Sequence, residues 1–362
     1  MKVTFPHLGN VYIAGKALLE ELGHEVITPP VCSRKTLEVG IKHSPEMICL
    51  PFKIFIGNYI ESIEKGADTI LLTGSCGPCR FGLYSLVQKD ILNNLGYNVD
   101  FIVLESFKEG ALEFKNNINK IIGSSSVTKF SKSAKLALSL IKMADDLSQL
   151  SNNIRAYAIN KNDVNNIMDN YYLRAVETHG ANELKKLIIN TEEELNKVKT
   201  DKSADPIRIG IIGEIYTIIE PFVNLEVERK LGNLGVLVDK SLTPTKWLEH
   251  HLFSYPFGSK YENMKFDLAK PYLADPVGGH GRETVGSAIY YNNMGYDGVI
   301  QILPLNCMPE IVAKSILKTV QKDLDFPIMT LVVDEMTGEA GFNTRLEAFI
   351  DLIYKRRGLA NG

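Results

Sequence analysis

The chain has 362 residues, 45% apolar and 23% charged, the make-up of a globular protein long enough for more than one core. Forty basic against 43 acidic residues give a net charge of −3, which argues against a dedicated nucleic-acid binder. No run of about 18 apolar residues occurs, so no membrane span is expected.

The opening Met1-Lys2-Val3-Thr4-Phe5 reads as a strand and not as a secretory leader, which fits a cytoplasmic protein. Another strand is predicted at Glu25-Val26-Ile27-Thr28, with a helical pattern through Ala17-Leu18-Leu19-Glu20-Glu21-Leu22 between them. A helix over 53–65 precedes the apolar strand Asp68-Thr69-Ile70-Leu71-Leu72, and a helix (83–95) and strand (99–104) follow. From Ser124 to about Asp205 the strand signal fades. The Asn- and Asp-rich stretch at 160–170 shows no clean period, and Asn190-Thr191-Glu192 carries an N-cap signal. Strands return at Ile207-Arg208-Ile209-Gly210-Ile211-Ile212-Gly213, Val236–Asp239, Gly298–Leu303 and Pro327–Val333, with helices predicted at 224–234, 281–294 and 343–357.

This rhythm predicts an α/β fold: two Rossmann-like or flavodoxin-like parallel-sheet domains, 1–125 and 205–362, with a helical linker domain over 126–204. The two α/β parts read as diverged copies. Leu22-Gly23-His24-Glu25-Val26 parallels Leu234-Gly235-Val236-Leu237-Val238, and Gly66-Ala67-Asp68-Thr69-Ile70 parallels Gly295-Tyr296-Asp297-Gly298-Val299. On that reading Cys76 and Cys307 occupy equivalent places beyond the carboxyl ends of corresponding strands, where open α/β sheets bind ligands. Cys76, Cys79 and Cys307 are then expected at one inter-domain cleft, with Cys49 a fourth contributor.

Five cysteines, an odd number, point to metal or redox chemistry before a disulfide framework. Pro51, Pro78 and Pro309 stiffen the cysteine-bearing turns, and Gly74, Gly77 and Gly82 permit close backbone approach to a bulky inorganic core. An iron–sulfur cluster satisfies this pattern. Structural zinc, a thioredoxin-like dithiol at Cys76 and Cys79, and inert buried thiols are the alternatives, the last being the reading for Cys32.

The strings Cys49-Leu50-Pro51-Phe52-Lys53, Gly77-Pro78-Cys79-Arg80-Phe81-Gly82 and Cys307-Met308-Pro309-Glu310 resemble the 2-hydroxyacyl-CoA dehydratase D-component and benzoyl-CoA reductase superfamily. So do Gly213-Glu214-Ile215-Tyr216 and Thr344-Arg345-Leu346-Glu347-Ala348-Phe349. The branch most similar is that related to the CoA-substrate-specific enzyme activase. The resemblance implies an oxygen-sensitive cluster on Cys49, Cys76, Cys79 and Cys307, either a single 4Fe–4S cubane or a double-cubane derivative. The joined form in relatives uses more thiolates than this chain has. Low-potential electrons would come from a separate ATP-hydrolysing iron–sulfur activase, since the chain has no phosphate-binding glycine loop. They would serve to reduce or dehydrate a small substrate such as an acyl-CoA. A homodimer, or a heterodimer with a paralogous subunit, is also implied. The alternative from another class is a non-catalytic electron-relay or scaffold subunit.

Arg80 beside Cys79 is a candidate to offset cluster charge, against a surface ion pair. Glu214, closing a strand at its carboxyl end, is a candidate acid or base, against a solvated loop acid. Gly278-Gly279-His280-Gly281-Arg282-Glu283 reads as a turn opening a helix and a candidate anion contact. Arg345, Glu347, Asp334 and Glu335 read as structural or solvated charges.

Overall fold

The computed structural model describes residues 1–74, 79–104, 111–249 and 260–358. The first part runs β1 (Lys2–Thr4), α1 (Val11–Glu21), β2 (Glu25–Val26), α2 (Arg34–His43), α3 (Leu50–Glu64) and β3 (Thr69–Thr73). A 3₁₀ turn (Arg80–Leu83) then continues into α4 (Tyr84–Asn94), followed by β4 (Asp100–Leu104) and α5 (Ala111–Ile122). Next come α6 (Val127–Tyr157), α7 (Lys161–Glu177) and α8 (Ala181–Leu195). The last part runs β5 (Arg208–Gly213), α9 (Ile215–Ile219), α10 (Val227–Asn233), β6 (Leu237–Lys240), α11 (Pro244–Leu248) and α12 (Lys260–Ala269). It ends with α13 (Gly281–Asn293), β7 (Gly298–Pro304), α14 (Met308–Leu324), β8 (Ile328–Val333) and α15 (Glu339–Arg356).

Among the described residues the strands form two four-stranded sheets, both wholly parallel, ordered β2-β1-β3-β4 and β6-β5-β7-β8. The α/β class with two parallel sheets is therefore the one the sequence predicts. Every residue of β7 is buried, as a central strand covered on both faces should be. The shared strand order matches the internal repeat, and the paired glycines explain its sequence trace. Gly23 and Gly235 follow α1 and α10, Gly66 and Gly295 follow α3 and α13, and all four have φ between +71° and +98°. Each is the left-handed residue that ends a helix before the next strand.

In both parts the helix leading into the third strand crosses its predecessor at van der Waals limits. A Cβ at Gly40 would lie 1.8 Å from the Lys53 carbonyl oxygen, and one at Gly57 would lie 2.0 Å from that of Thr36. These contacts lock α2 on α3. In the second part, a Cβ at Gly286 would lie 2.0 Å from the Lys265 carbonyl oxygen, which locks α12 on α13.

The chain divides into two compact units, 1–145 with 171–189, and 146–170 with 190–362. The helices α6 and α7 thus contribute to both. In the first unit, buried Lys16 donates to the Val176 carbonyl at 2.7 Å, and Glu20 accepts from His179 Nδ1 (2.6 Å) and the Gly180 backbone (2.9 Å). In the second, buried Arg155 donates to Asn152 (2.8 Å) and Asn165 (3.0 Å), and Asn165 reaches Asn233 (3.1 Å). The stretch at 160–170 that shows no period in sequence lies in α7. Its order comes from Val164, Met168, Tyr171 and Ala175, spaced at helical intervals and all buried, while the Asn and Asp residues that hide the pattern mostly face outward.

Gly57→Ala should force α2 and α3 apart and cost about 1–3 kcal/mol, read as a lower urea midpoint. The control is Gly341→Ala at an exposed position of α15, where an added methyl meets nothing within 4 Å; it should stabilise by up to about 1 kcal/mol. Equal effects at the two positions would show that the crossing is not tight.

Candidate functional site

The described cysteines of the predicted ligand set share one local setting. Cys49 is the N-cap of α3, Cys79 that of the 3₁₀ turn, and Cys307 that of α14. All three are half-buried on extended backbone, and none uses its thiol to cap its helix. A helix N-terminus carries partial positive charge, which favours thiolate over thiol. Pro51 and Pro309 lie in the first turns of α3 and α14, where a missing N–H costs nothing. Asn306, at φ +65°, bends the chain from β7 to bring Cys307 to the helix start. Cys76 lies in 75–78, outside the described residues. By its place as an N-cap, Cys79 is the counterpart of Cys307; by distance from the strand end, Cys76 is.

In the first unit Cys49 meets, and Cys79 acts electrostatically on, one side chain that sequence reasoning missed. The Cys49 thiol is hydrogen-bonded to the Tyr84 hydroxyl, and Cys79 and Arg80 both act electrostatically on that hydroxyl. Burial, followed by the Cys49 sulfur, pushes the Tyr84 phenol well above its ordinary range, so it stays protonated. Its ring is held edge-on by Phe52 (centroids 4.8 Å apart) and packed by Phe81 (5.4 Å), which in turn meets Phe55. Arg80 is exposed at the first position of the 3₁₀ turn. Buried Lys53 donates to the Glu46 carbonyl at 2.9 Å, tying α3 to the loop that delivers Cys49.

Cys32 sits apart from this group in the interior, 5% exposed, with its thiol 3.8 Å from Asn58 Oδ1. That oxygen also accepts from the His7 backbone at 3.1 Å, and the Asn58 amide donates to the Pro30 carbonyl at 3.4 Å. The thiol thus belongs to a structural tie between the β1 exit and α3.

The second unit gathers acids at the carboxyl ends of β5 and β7. Gly213, at φ +132° against the Ile302 carbonyl, turns the chain so that Glu214 caps α9. The Glu214 carboxylate accepts from the backbone of Tyr216 (3.1 Å) and Thr217 (3.0 Å). It keeps an exposed edge, yet the protein packed around it raises its pKa to about 7 by desolvation, against the pull of those two donors.

Three residues after Cys307, Glu310 is wholly buried; its carboxylate accepts from Thr284 Oγ1 (2.8 Å) and Gln301 Nε2 (2.9 Å). Burial, with Glu214 and Glu283 nearby, lifts Glu310 to about 7 as well. His280, the N-cap of α13, is lowered to about 4 by burial and by Lys265, and Lys265 is lowered to about 8 by burial. The imidazole is therefore neutral near pH 7. Its Nε2 lies 3.8 Å from a Glu283 carboxylate oxygen, so this turn is a poorer anion contact than its glycines suggest. Glu310 and Lys265 carry no spacing signal; only the fold brings them to the cluster.

An acid with a raised folded pKa binds more protons folded than unfolded, so its contribution to stability is lost as pH rises between about 4.5 and 7. Wild type should thus lose on the order of 3 kcal/mol more than Glu310→Gln between pH 4.5 and 8, measured by urea denaturation. Parallel profiles would mean that Glu310 ionises freely in the folded state.

No helix among the described residues is long and apolar enough to cross a membrane. Residues 7–74 match the family described as "CoA enzyme activase uncharacterised domain (DUF2229)". The match spans Cys32 and Cys49 and ends before Cys79. It links this segment to the 2-hydroxyacyl-CoA dehydratase and activase superfamily without singling out a member. No curated protein matches the chain.

Proposed function

We propose that the chain is an iron–sulfur oxidoreductase whose thiolates are drawn from Cys49, Cys76, Cys79 and Cys307. Its electrons come from a separate ATP-hydrolysing activase, and its substrate is a small molecule, such as an acyl-CoA, that it reduces or dehydrates. The observation that carries this reading is that half-buried Cys49 and Cys79, each at an N-cap position, lie about one tyrosine hydroxyl, which the Cys49 thiol meets and on which Cys79 acts electrostatically. Soft, accessible thiolates on stiff turns are the donor set an iron–sulfur cluster requires, and such a cluster supplies single low-potential electrons when bound. The activase-related match over residues 7–74 supports the same direction and the same partner. Arg80 offsets negative charge beside Cys79. Glu214, poised near neutrality at the end of β5, holds or releases a proton for the substrate.

Anaerobic purification with iron and acid-labile sulfide counts tests the proposal. About four irons per chain fit one cubane and about eight a double cubane; zinc without sulfide would sink the redox reading. Cys49→Ser and Cys79→Ser should each lower iron content and weaken the visible charge-transfer absorption. Retention of full iron and an unchanged spectrum in Cys79→Ser would remove that residue from the ligand set.

A further inference from the structure

We infer that Tyr84 is a hydrogen-bond donor to the Cys49 thiolate in the metal-bound protein and so sets the reduction potential of the cluster. This rests on the reading of Cys49 and Cys79 as ligands. The Tyr84 hydroxyl meets the Cys49 sulfur directly, and the residue is 3% exposed, so water does not compete for the bond. Phe52 and Phe81 fix the ring from two sides, which leaves the hydroxyl one direction in which to point. Tyr84 opens α4, directly after the turn that Cys79 caps, so one continuous element carries both a candidate ligand and the donor to the other. A hydrogen bond to a ligating sulfur withdraws charge from the cluster and favours its reduced, more negative state, raising the potential.

The role is one of positioning and tuning, and the test separates it from packing. Full-length wild type and Tyr84→Phe are reconstituted anaerobically with iron and sulfide, metal content is counted, and midpoint potentials are read by EPR-monitored titration with dithionite. The phenylalanine variant should hold as much iron as wild type and titrate at a more negative potential. Protein carrying 3-fluorotyrosine at position 84 keeps the ring and donates more strongly, so it should titrate at a more positive potential than wild type. If Tyr84→Phe fails to fold, the fluorotyrosine shift decides alone. Full iron with one potential for all three proteins would overturn the inference and leave the cluster reading standing. Failure of wild type itself to bind iron would overturn both.

Discussion

Everything at the candidate sites follows from the parallel arrangement of the strands. Each connecting helix must run back against the strands, so helix N-termini gather at the carboxyl edge of each sheet. The fifteen residues of α3 span about 22 Å, enough to carry Cys49 from the start of β3 back to that edge. The same rule places Cys79 and Cys307 at helix starts after the third strand of each sheet, and Glu214 after β5. A thiol is a weak acceptor and makes a poor cap. Its presence at three N-cap positions leaves backbone N–H groups and partial positive charge beside the sulfurs.

The duplicated topology carries two different sets of side chains at matching positions. The helix that enters the third strand is capped by Cys49 in the first unit and by His280 in the second, and both helices cross their predecessors at glycine. Beside Cys49 stands buried Tyr84, whose ring Phe52 and Phe81 pack and whose hydroxyl reaches the sulfur. Around His280 the neighbours are Lys265 and Glu283, with Glu310 and Glu214 close by in the same unit, a setting that stores protons near neutrality. The same scaffold position thus carries a thiol beside a buried phenol in one unit and an imidazole among charged side chains in the other.

Much of the fold was legible because apolar strands and helix-ending glycines are local signals. Gly23, Gly66, Gly235 and Gly295 announced the repeat, since the conformation each adopts is one that other residues resist. The cysteine turns were legible for a similar reason: Pro51 and Pro309 mark the first turns of helices. Helix α7 was hidden because its apolar stripe of Val164, Met168, Tyr171 and Ala175 is thin among polar residues. Tyr84, Glu310 and Lys265 were hidden for a deeper reason. What sets each of them apart is burial against elements distant in sequence, and no spacing rule encodes that.

The interleaving of the two units has a consequence for how the polypeptide is made. The chain passes from the first unit to the second at residue 146, returns at 171 and leaves again at 190. The first unit is therefore complete only once the residues through Ile189 have left the ribosome, because Lys16 and Glu20 find their partners at Val176, His179 and Gly180. A gene fragment cut between the two sheets would leave at least one unit without a helical segment that belongs to it.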